Sequence, residues 1–335
     1  MRAPAFWQGG RSGPATGLSA RLPAMLLAPV ARLYGGVTAW RMGRPVERAA
    51  LPVVCIGNFT VGGTGKTPAA LAIAALLEEI GERPAFLTRG HGGRLRGPVE
   101  VDPQQHGHTL VGDEPLLLAR GAPVIVSRDR PTGANEAGQI GASVIVMDDG
   151  FQNPSLAKDL SLILVDGAVG VMNGMCLPAG PLRAPLARQW EHADALIVMG
   201  KGAPGDALAD EARARGLPVF RARLEPDAQA VAALRARRCL AFAGIGRPQK
   251  FFDTLAEVGI DIADSVTFPD HHSYRPQDIT RLQERAAQGG LTLVTTEKDA
   301  VRLPELDDLA VLPVTALFDD APALLALLRR AIRDA

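Results

Sequence analysis

The chain has 335 residues, 47% of them hydrophobic, and a formal net charge of +0. That length allows two α/β domains with cores of their own, and the charge balance argues against a dedicated nucleic-acid binder, which carries a basic excess. The three cysteines, Cys55, Cys176 and Cys239, lie far apart without metal-ligand spacing, which fits reduced thiols in the cytoplasm and excludes a disulfide framework.

The charge is unevenly spread. Residues 1–46 hold Arg2, Arg11, Arg21, Arg32, Arg41 and Arg44 with no acidic residue, beside Phe6, Trp7, Tyr34 and Trp40. Leu22, Leu26, Val30, Leu33, Val37 and Trp40 recur every three or four positions, which predicts one face of a helix. Pro23 suits a first turn, whereas Pro29 is expected to kink or split the helix. The uninterrupted apolar run Leu22–Ala31 is shorter than the roughly 20 residues that span a bilayer. The expectation is a basic amphipathic helix lying in a membrane interface, on a peripheral protein without a cleaved signal peptide.

Val53-Val54-Cys55-Ile56 reads as a buried strand, Gly57 to Gly65 as a Gly-rich turn, and Ala69 to Leu77 as a helix. Strand, loop and helix in that order are the context of a phosphate-binding loop, here Thr60-Val61-Gly62-Gly63-Thr64-Gly65-Lys66-Thr67. Glycines let successive backbone N–H groups turn toward one anion, and the helix N-terminus adds unpaired donors at the same point. Lys66 is then expected to reach the β- and γ-phosphates and the Thr67 hydroxyl to hold Mg²⁺. The strict pattern places Gly where this chain has Thr60.

Further strands are expected at 83–88, 123–127, 143–147, 160–165, 195–199 and 218–224, alternating with helical stretches. That alternation predicts an α/β fold, a mostly parallel sheet with helices on both faces. The strand Ser143–Met147 runs into Asp148-Asp149-Gly150, a Walker B-like end whose carboxylates approach Mg²⁺. Cys239–Gly244 restarts the pattern and marks a smaller C-terminal α/β unit, closed by an amphipathic helix over 324–332. The expected division is a membrane-associating segment over 1–46, a P-loop core over 47–225 and a C-terminal α/β domain over 236–335.

Phosphoryl transfer also asks for a base at the acceptor hydroxyl and for cations around the migrating group. His271 and Asp113 have the right chemistry for the base, although nothing in their spacing shows that they meet.

The loop 61–68, Thr88-Arg89-Gly90-His91-Gly92, Gly112-Asp113-Glu114-Pro115, Met147-Asp148-Asp149-Gly150-Phe151-Gln152, Leu177-Pro178-Ala179-Gly180-Pro181-Leu182-Arg183, Phe268-Pro269-Asp270-His271 and Thr295-Thr296-Glu297-Lys298-Asp299 follow one another along the chain. As a set this resembles the tetraacyldisaccharide 4′-kinase family of lipid A biosynthesis, over nearly the whole chain. The resemblance implies a kinase using ATP and Mg²⁺ at the cytoplasmic face of the inner membrane. Its acceptor would be an acylated glucosamine disaccharide 1-phosphate, phosphorylated on the 4′-hydroxyl to give lipid IVA, with no obligate protein partner. It also implies Asp113 with His271 as an acid–base dyad and Asp148 with Asp149 as the acidic pair. Arg89, Arg130, Gln152 and Arg183 would surround the transferred phosphate and the substrate. Two positions depart from the family pattern: His91 stands where Tyr is usual, and Ala184 where Glu follows the Leu-Arg motif. With His271 in the second unit, domain closure is expected to complete the site.

Rival readings fit less of the chain. A partitioning-type ATPase has Lys before the paired glycines, where this chain has Val61. A GTPase needs a guanine-recognition order that Thr296-Glu297-Lys298-Asp299 does not give. A metal phosphoesterase reading of Asp270-His271-His272 leaves the phosphate loop without a purpose.

Overall fold

The computed structural model describes residues 4–7, 18–44 and 46–335, and the side chains of residues 5 and 18–21 lie outside the description. Arg2 and Arg11 of the basic segment therefore fall outside the described residues, as does the side chain of Arg21.

Thirteen strands form among the described residues. They are β1 (Val53–Asn58), β2 (Pro84–Thr88), β3 (Val99–Glu100), β4 (Val124–Val126), β5 (Val144–Asp148), β6 (Leu160–Asp166), β7 (Ala195–Met199), β8 (Val219–Pro226), β9 (Arg238–Ala243), β10 (Asp261–Thr267), β11 (Thr292–Thr296), β12 (Leu309–Leu312) and β13 (Val314–Phe318). Nine of them pair in the order β13-β8-β7-β6-β1-β5-β2-β4-β3, and four more in the order β10-β9-β11-β12. Pairing is parallel throughout except at the two edges of the large sheet, β13 on β8 and β3 on β4.

The central strands are apolar without alternation because both faces of the sheet are covered. Successive residues of β1 divide between two cores: Val54 and Ile56 face one and Val53 and Cys55 the other. Helix Lys66–Glu79 covers the first face through Ala70, Ile73 and Leu77. β1 lies between β5 and β6, so the loop that follows it opens in the crevice at the carboxyl ends of the strands, where open α/β sheets bind ligands.

The last strand and helix do not stay with the smaller unit. β13 pairs antiparallel with β8, and helix Ala321–Asp334 buries Leu324 and Leu328 in the same core as Ile56 and Ile73. Leu324 and Leu328 stand one helical turn apart, and their apolar face finds its cover on the large sheet. The four-stranded unit thus spans 238–312, while 314–334 return to the first unit.

The N-terminal helix runs unbroken over Leu18–Met42 with both Pro23 and Pro29 inside it. Pro29 does not split it. The helix over 22–42 is long and apolar enough to cross a membrane by length and composition, so it extends well beyond the run that ends at Ala31. It rests on the body by its small residues, Ala24, Ala31 and Gly35, and by Met42. A Cβ on Gly35 would come within 2.9 Å of Cys176 Sγ. Its other face presents Leu22, Met25, Leu26, Val30, Leu33, Val37 and Trp40 to the outside, with Leu26 74% exposed. Arg44 lays its guanidinium 4.1 Å from the centre of the Trp40 ring.

Candidate functional site

The phosphate loop leaves β1 at Asn58 and enters helix Lys66–Glu79 through Gly65, whose φ of 84° is left-handed. A side chain there would be strained, which is why a glycine precedes Lys66. A neighbouring segment holds the loop open. Val61 N–H donates to Pro181 O at 2.9 Å, Arg183 N–H to Phe59 O at 3.0 Å, and Arg183 Nε to Thr60 O at 3.3 Å. The Pro/Gly-rich stretch 177–183 is therefore a brace for the loop, which its composition alone did not reveal.

Asp148 and Asp149 take different positions. Asp148 ends β5, is 1% exposed, and its Oδ1 is buried without a hydrogen-bond partner. Burial pushes its carboxyl up to about 7, with Glu114 and Asp149 adding to the rise and Lys66 and Arg130 opposing it. Asp149 has left the strand with φ of 52°. Its Oδ1 lies 3.4 Å from Lys66 Nζ and its Oδ2 3.0 Å from Arg183 Nη1. Burial alone would raise its pKa, but the two cations outweigh it and hold the carboxylate at about 2.

This set suits Mg²⁺ with a nucleoside triphosphate. Mg²⁺ takes one or two carboxylates and completes its shell with phosphate oxygens and water. A strand-end carboxylate with an orphaned oxygen, next to a loop whose Thr64 Oγ1 is also buried and unpartnered, is a donor set awaiting such a group. Among the described residues no cluster of three or more His, Cys, Asp or Glu could hold a metal by itself.

Asp113 opens the short helix Asp113–Leu118 after Gly112, and its neighbour Glu114 acts electrostatically on Asp148. Gly112 has φ of 96°, and a Cβ on it would lie 2.4 Å from His91 O. Asp113 is 5% exposed. His271 follows β10, in a turn with φ of 57°, and places Nδ1 3.2 Å from Asp113 Oδ2. The structure thus joins the two residues that spacing left apart. Burial would raise the Asp113 carboxyl, but His271, Lys298 and Arg302 hold it well below the usual carboxylate range. The His91 ring stands edge-on to His271 with centroids 5.8 Å apart.

The other expected residues take varied places. Arg183 is at the site, on Asp149. Arg89 is exposed at the end of the strand–loop carrying His91. Arg130 is 2% exposed, donates through Nη1 to Ser127 O and faces Asp148 from within the fold. Gln152 donates through Nε2 to Asn58 O and Gln189 Oε1, both at 2.8 Å. It steadies the base of the loop. Ala184 is fully buried, with its carbonyl accepting from Gln189 Nε2 at 2.7 Å. Gln189 and Arg302 were not singled out from the sequence, since a Gln in a short helix and an Arg in the turn after one carry no motif.

A family model described as Tetraacyldisaccharide-1-P 4′-kinase matches residues 23–333. The chain belongs to the tetraacyldisaccharide-1-P 4′-kinase family. It is 57% identical over 329 residues to a tetraacyldisaccharide 4′-kinase of Methylobacterium nodulans, covering 98% of this chain and 95% of that one. It is 58% identical to one of Methylobacterium radiotolerans, covering 100% and 99%. A crystal structure of LpxK from Aquifex aeolicus in complex with ATP is 26% identical, with a TM-score of 0.75 over 93% of this chain and 100% of that one.

Proposed function

We infer that this tetraacyldisaccharide 4′-kinase transfers the γ-phosphoryl group of ATP to the 4′-hydroxyl of a tetraacyldisaccharide 1-phosphate, the step that gives lipid IVA in lipid A biosynthesis. The observation that carries the mechanism is the contact between Asp113 and His271. Asp113, held ionised, accepts from Nδ1–H of His271 and so leaves the Nε2 lone pair to take a proton. The hydroxyl proton passes to Nε2 as the sugar oxygen bonds to the γ-phosphorus and the bond to ADP breaks. Asp270 Oδ1, 3.8 Å from Nε2, steadies the imidazolium that results. Lys66 leaves Asp149 for the phosphates, and Arg183 keeps Asp149 fixed while it does so. Thr67 with Asp148 and Asp149 would hold Mg²⁺, which when bound neutralises charge on the phosphates.

We also propose that the N-terminal helix seats the enzyme on the cytoplasmic surface of the inner membrane. One face of that helix is packed on the protein, so lipid cannot surround it, and its exposed apolar row with Arg32, Arg41 and Arg44 suits the interfacial plane. Each acyl CH₂ taken into water would cost about 0.8 kcal/mol, so a lipid acceptor is best met at the surface. In this reading the chain divides into the segment 1–46, a kinase core over 47–225 completed by 314–334, and a smaller lobe over 238–312.

Label transfer from γ-labelled ATP to an acylated disaccharide 1-phosphate tests the reading. Label on the lipid supports it, whereas label released as free phosphate, equally with and without lipid, replaces it with an ATPase.

A further inference from the structure

Arg302 lies just past the helix Glu297–Ala300 of the smaller lobe and is 5% exposed, an unusual place for a guanidinium unless its donors are used. They are used, and in a closed circuit. Nε donates to Asp113 Oδ2 at 3.0 Å and Nη2 donates to the same oxygen. Nη1 donates to Gly244 O at 3.0 Å and to Asp299 Oδ1 at 3.2 Å. The same Gly244 oxygen accepts from the backbone N–H of His271 at 3.1 Å. Asp299 Oδ1 also accepts from Gly244 N–H at 2.9 Å and from Tyr274 Oη–H at 2.8 Å. One side chain therefore touches the Asp113 carboxylate directly and the turn bearing His271 through a single shared carbonyl.

We propose that Arg302 is the positioning residue of the Asp113–His271 pair, fixing both partners so that the base faces the acceptor hydroxyl. The proposal deepens the reading of that pair as the base and rests on it. Its physical basis is that the two partners belong to different lobes. Asp113 sits on the large-sheet unit and His271 on the four-stranded one, so their approach depends on how the lobes meet. A planar fork that binds a carboxylate on one side and the Gly244 carbonyl on the other sets distance and angle together, which a point charge cannot do. Lys298, 3.1 Å from Glu114 Oε1, ties the next residue of the same short helix to the same lobe. His271 also has a backbone φ of 57°, a conformation that the surrounding bonds must hold in place.

A purely structural ion pair is the competing account, and loss of stability cannot separate the two, since removing one partner of a buried pair destabilises either way. The measurements that separate them are the split between kcat and KM and the pH profile of kcat/KM. Four groups besides Arg302 face Asp113: His271 from its turn, Lys298 and the helix it sits on, Glu114 beside it, and His108 from the preceding short helix. Removing a cation from this group raises the proton affinity of the others, so the acidic limb should move to higher pH.

The full-length protein is assayed by label transfer as the parent, Arg302→Gln, Arg302→Lys, Asp113→Asn and His271→Ala. For Arg302→Gln we expect kcat lowered about 100-fold, KM for ATP within twofold of the parent, and an acidic limb shifted to higher pH. Arg302→Lys keeps the charge without the fork, so it should leave the limb in place, restore part of kcat and remain at least several-fold slower than the parent. A folded Arg302→Gln protein with parental kcat and parental limb overturns the proposal. Should that variant not fold, Arg302→Lys decides: a parental kcat overturns it and a lowered kcat with an unmoved limb supports it. Parental rates in Asp113→Asn and His271→Ala would instead remove the acid–base reading itself, and the proposal with it.

Discussion

Nδ1 of His271 lies 3.2 Å from Oδ2 of Asp113, across 158 positions of sequence and from one sheet to the other. The pair is formed in the state described, so the two lobes need no further approach for these side chains to meet. Asp113→Ala and His271→Ala should each lower phosphoryl transfer by about 10²- to 10⁴-fold, the usual range for general acid–base catalysis. Affinity for ATP, measured by equilibrium binding, should stay near the parent's because neither residue belongs to the Lys66 loop. A large loss of ATP binding in both variants would speak against the assigned role.

Lys66 Nζ lies 3.4 Å from Asp149 Oδ1. Lys66→Ala should reduce kcat by at least about 100-fold, as loss of a charge-stabilising donor does. Asp149 would then be left with Arg183 alone as its cationic partner, so the variant should stay folded. Unchanged label transfer to lipid in the variant would end the P-loop kinase reading.

The exposed row of the N-terminal helix makes a separate prediction. Leu26→Glu with Leu33→Glu places two charges on a face that is 74% and 70% exposed at those positions. Thermal stability in solution should change little, by about 0.5 kcal/mol or less per substitution, as is usual at the surface. Flotation with anionic vesicles should drop sharply, because the face loses apolar area and gains repulsion. Undiminished flotation would show that another surface meets the membrane.

Asp113 also predicts how the fold responds to acid. Its folded-state pKa is depressed below the ordinary 3.8, because His271, Lys298 and Arg302 outweigh the effect of burial. A carboxyl of this kind contributes stability that is present above its unfolded value and lost as pH falls through its folded value. In urea titrations the parent should therefore lose midpoint concentration steeply below about pH 4. Asp113→Asn should start lower at pH 6 and fall less, so that the two curves converge in acid. A constant gap at every pH would exclude this linkage.

Much was legible in the residues themselves. Apolar runs without alternation at 53–56, 144–147 and 160–165 required strands buried on both faces, and glycines before Lys66 required the loop to turn back on an anion. These are local constraints: backbone sterics and the need to pair buried peptide groups act within a few residues, so sequence order is enough to express them. The row from Leu22 to Trp40 was legible for the same reason, although the helix continues through Pro29, where a kink or a split was expected.

What the tertiary structure alone decided is which distant groups share a space. β13 and helix Ala321–Asp334 return to the large sheet because Leu324 and Leu328 find their cover there, a choice among surfaces that no local pattern names. Gln152 donates to Asn58 O at the base of the loop and to Gln189, a partner 37 positions away. Asp148 and Asp149 are neighbours in sequence, yet one is sealed beneath the sheet end and the other clasped by Lys66 and Arg183, since the chain leaves the strand between them. Arg302 carries no motif, and its importance exists only once folding brings Asp113, Gly244 and Asp299 around it. The identity of a side chain fixes what it can donate or accept, whereas its partners are set by the packing of whole elements, which is a property of the complete fold.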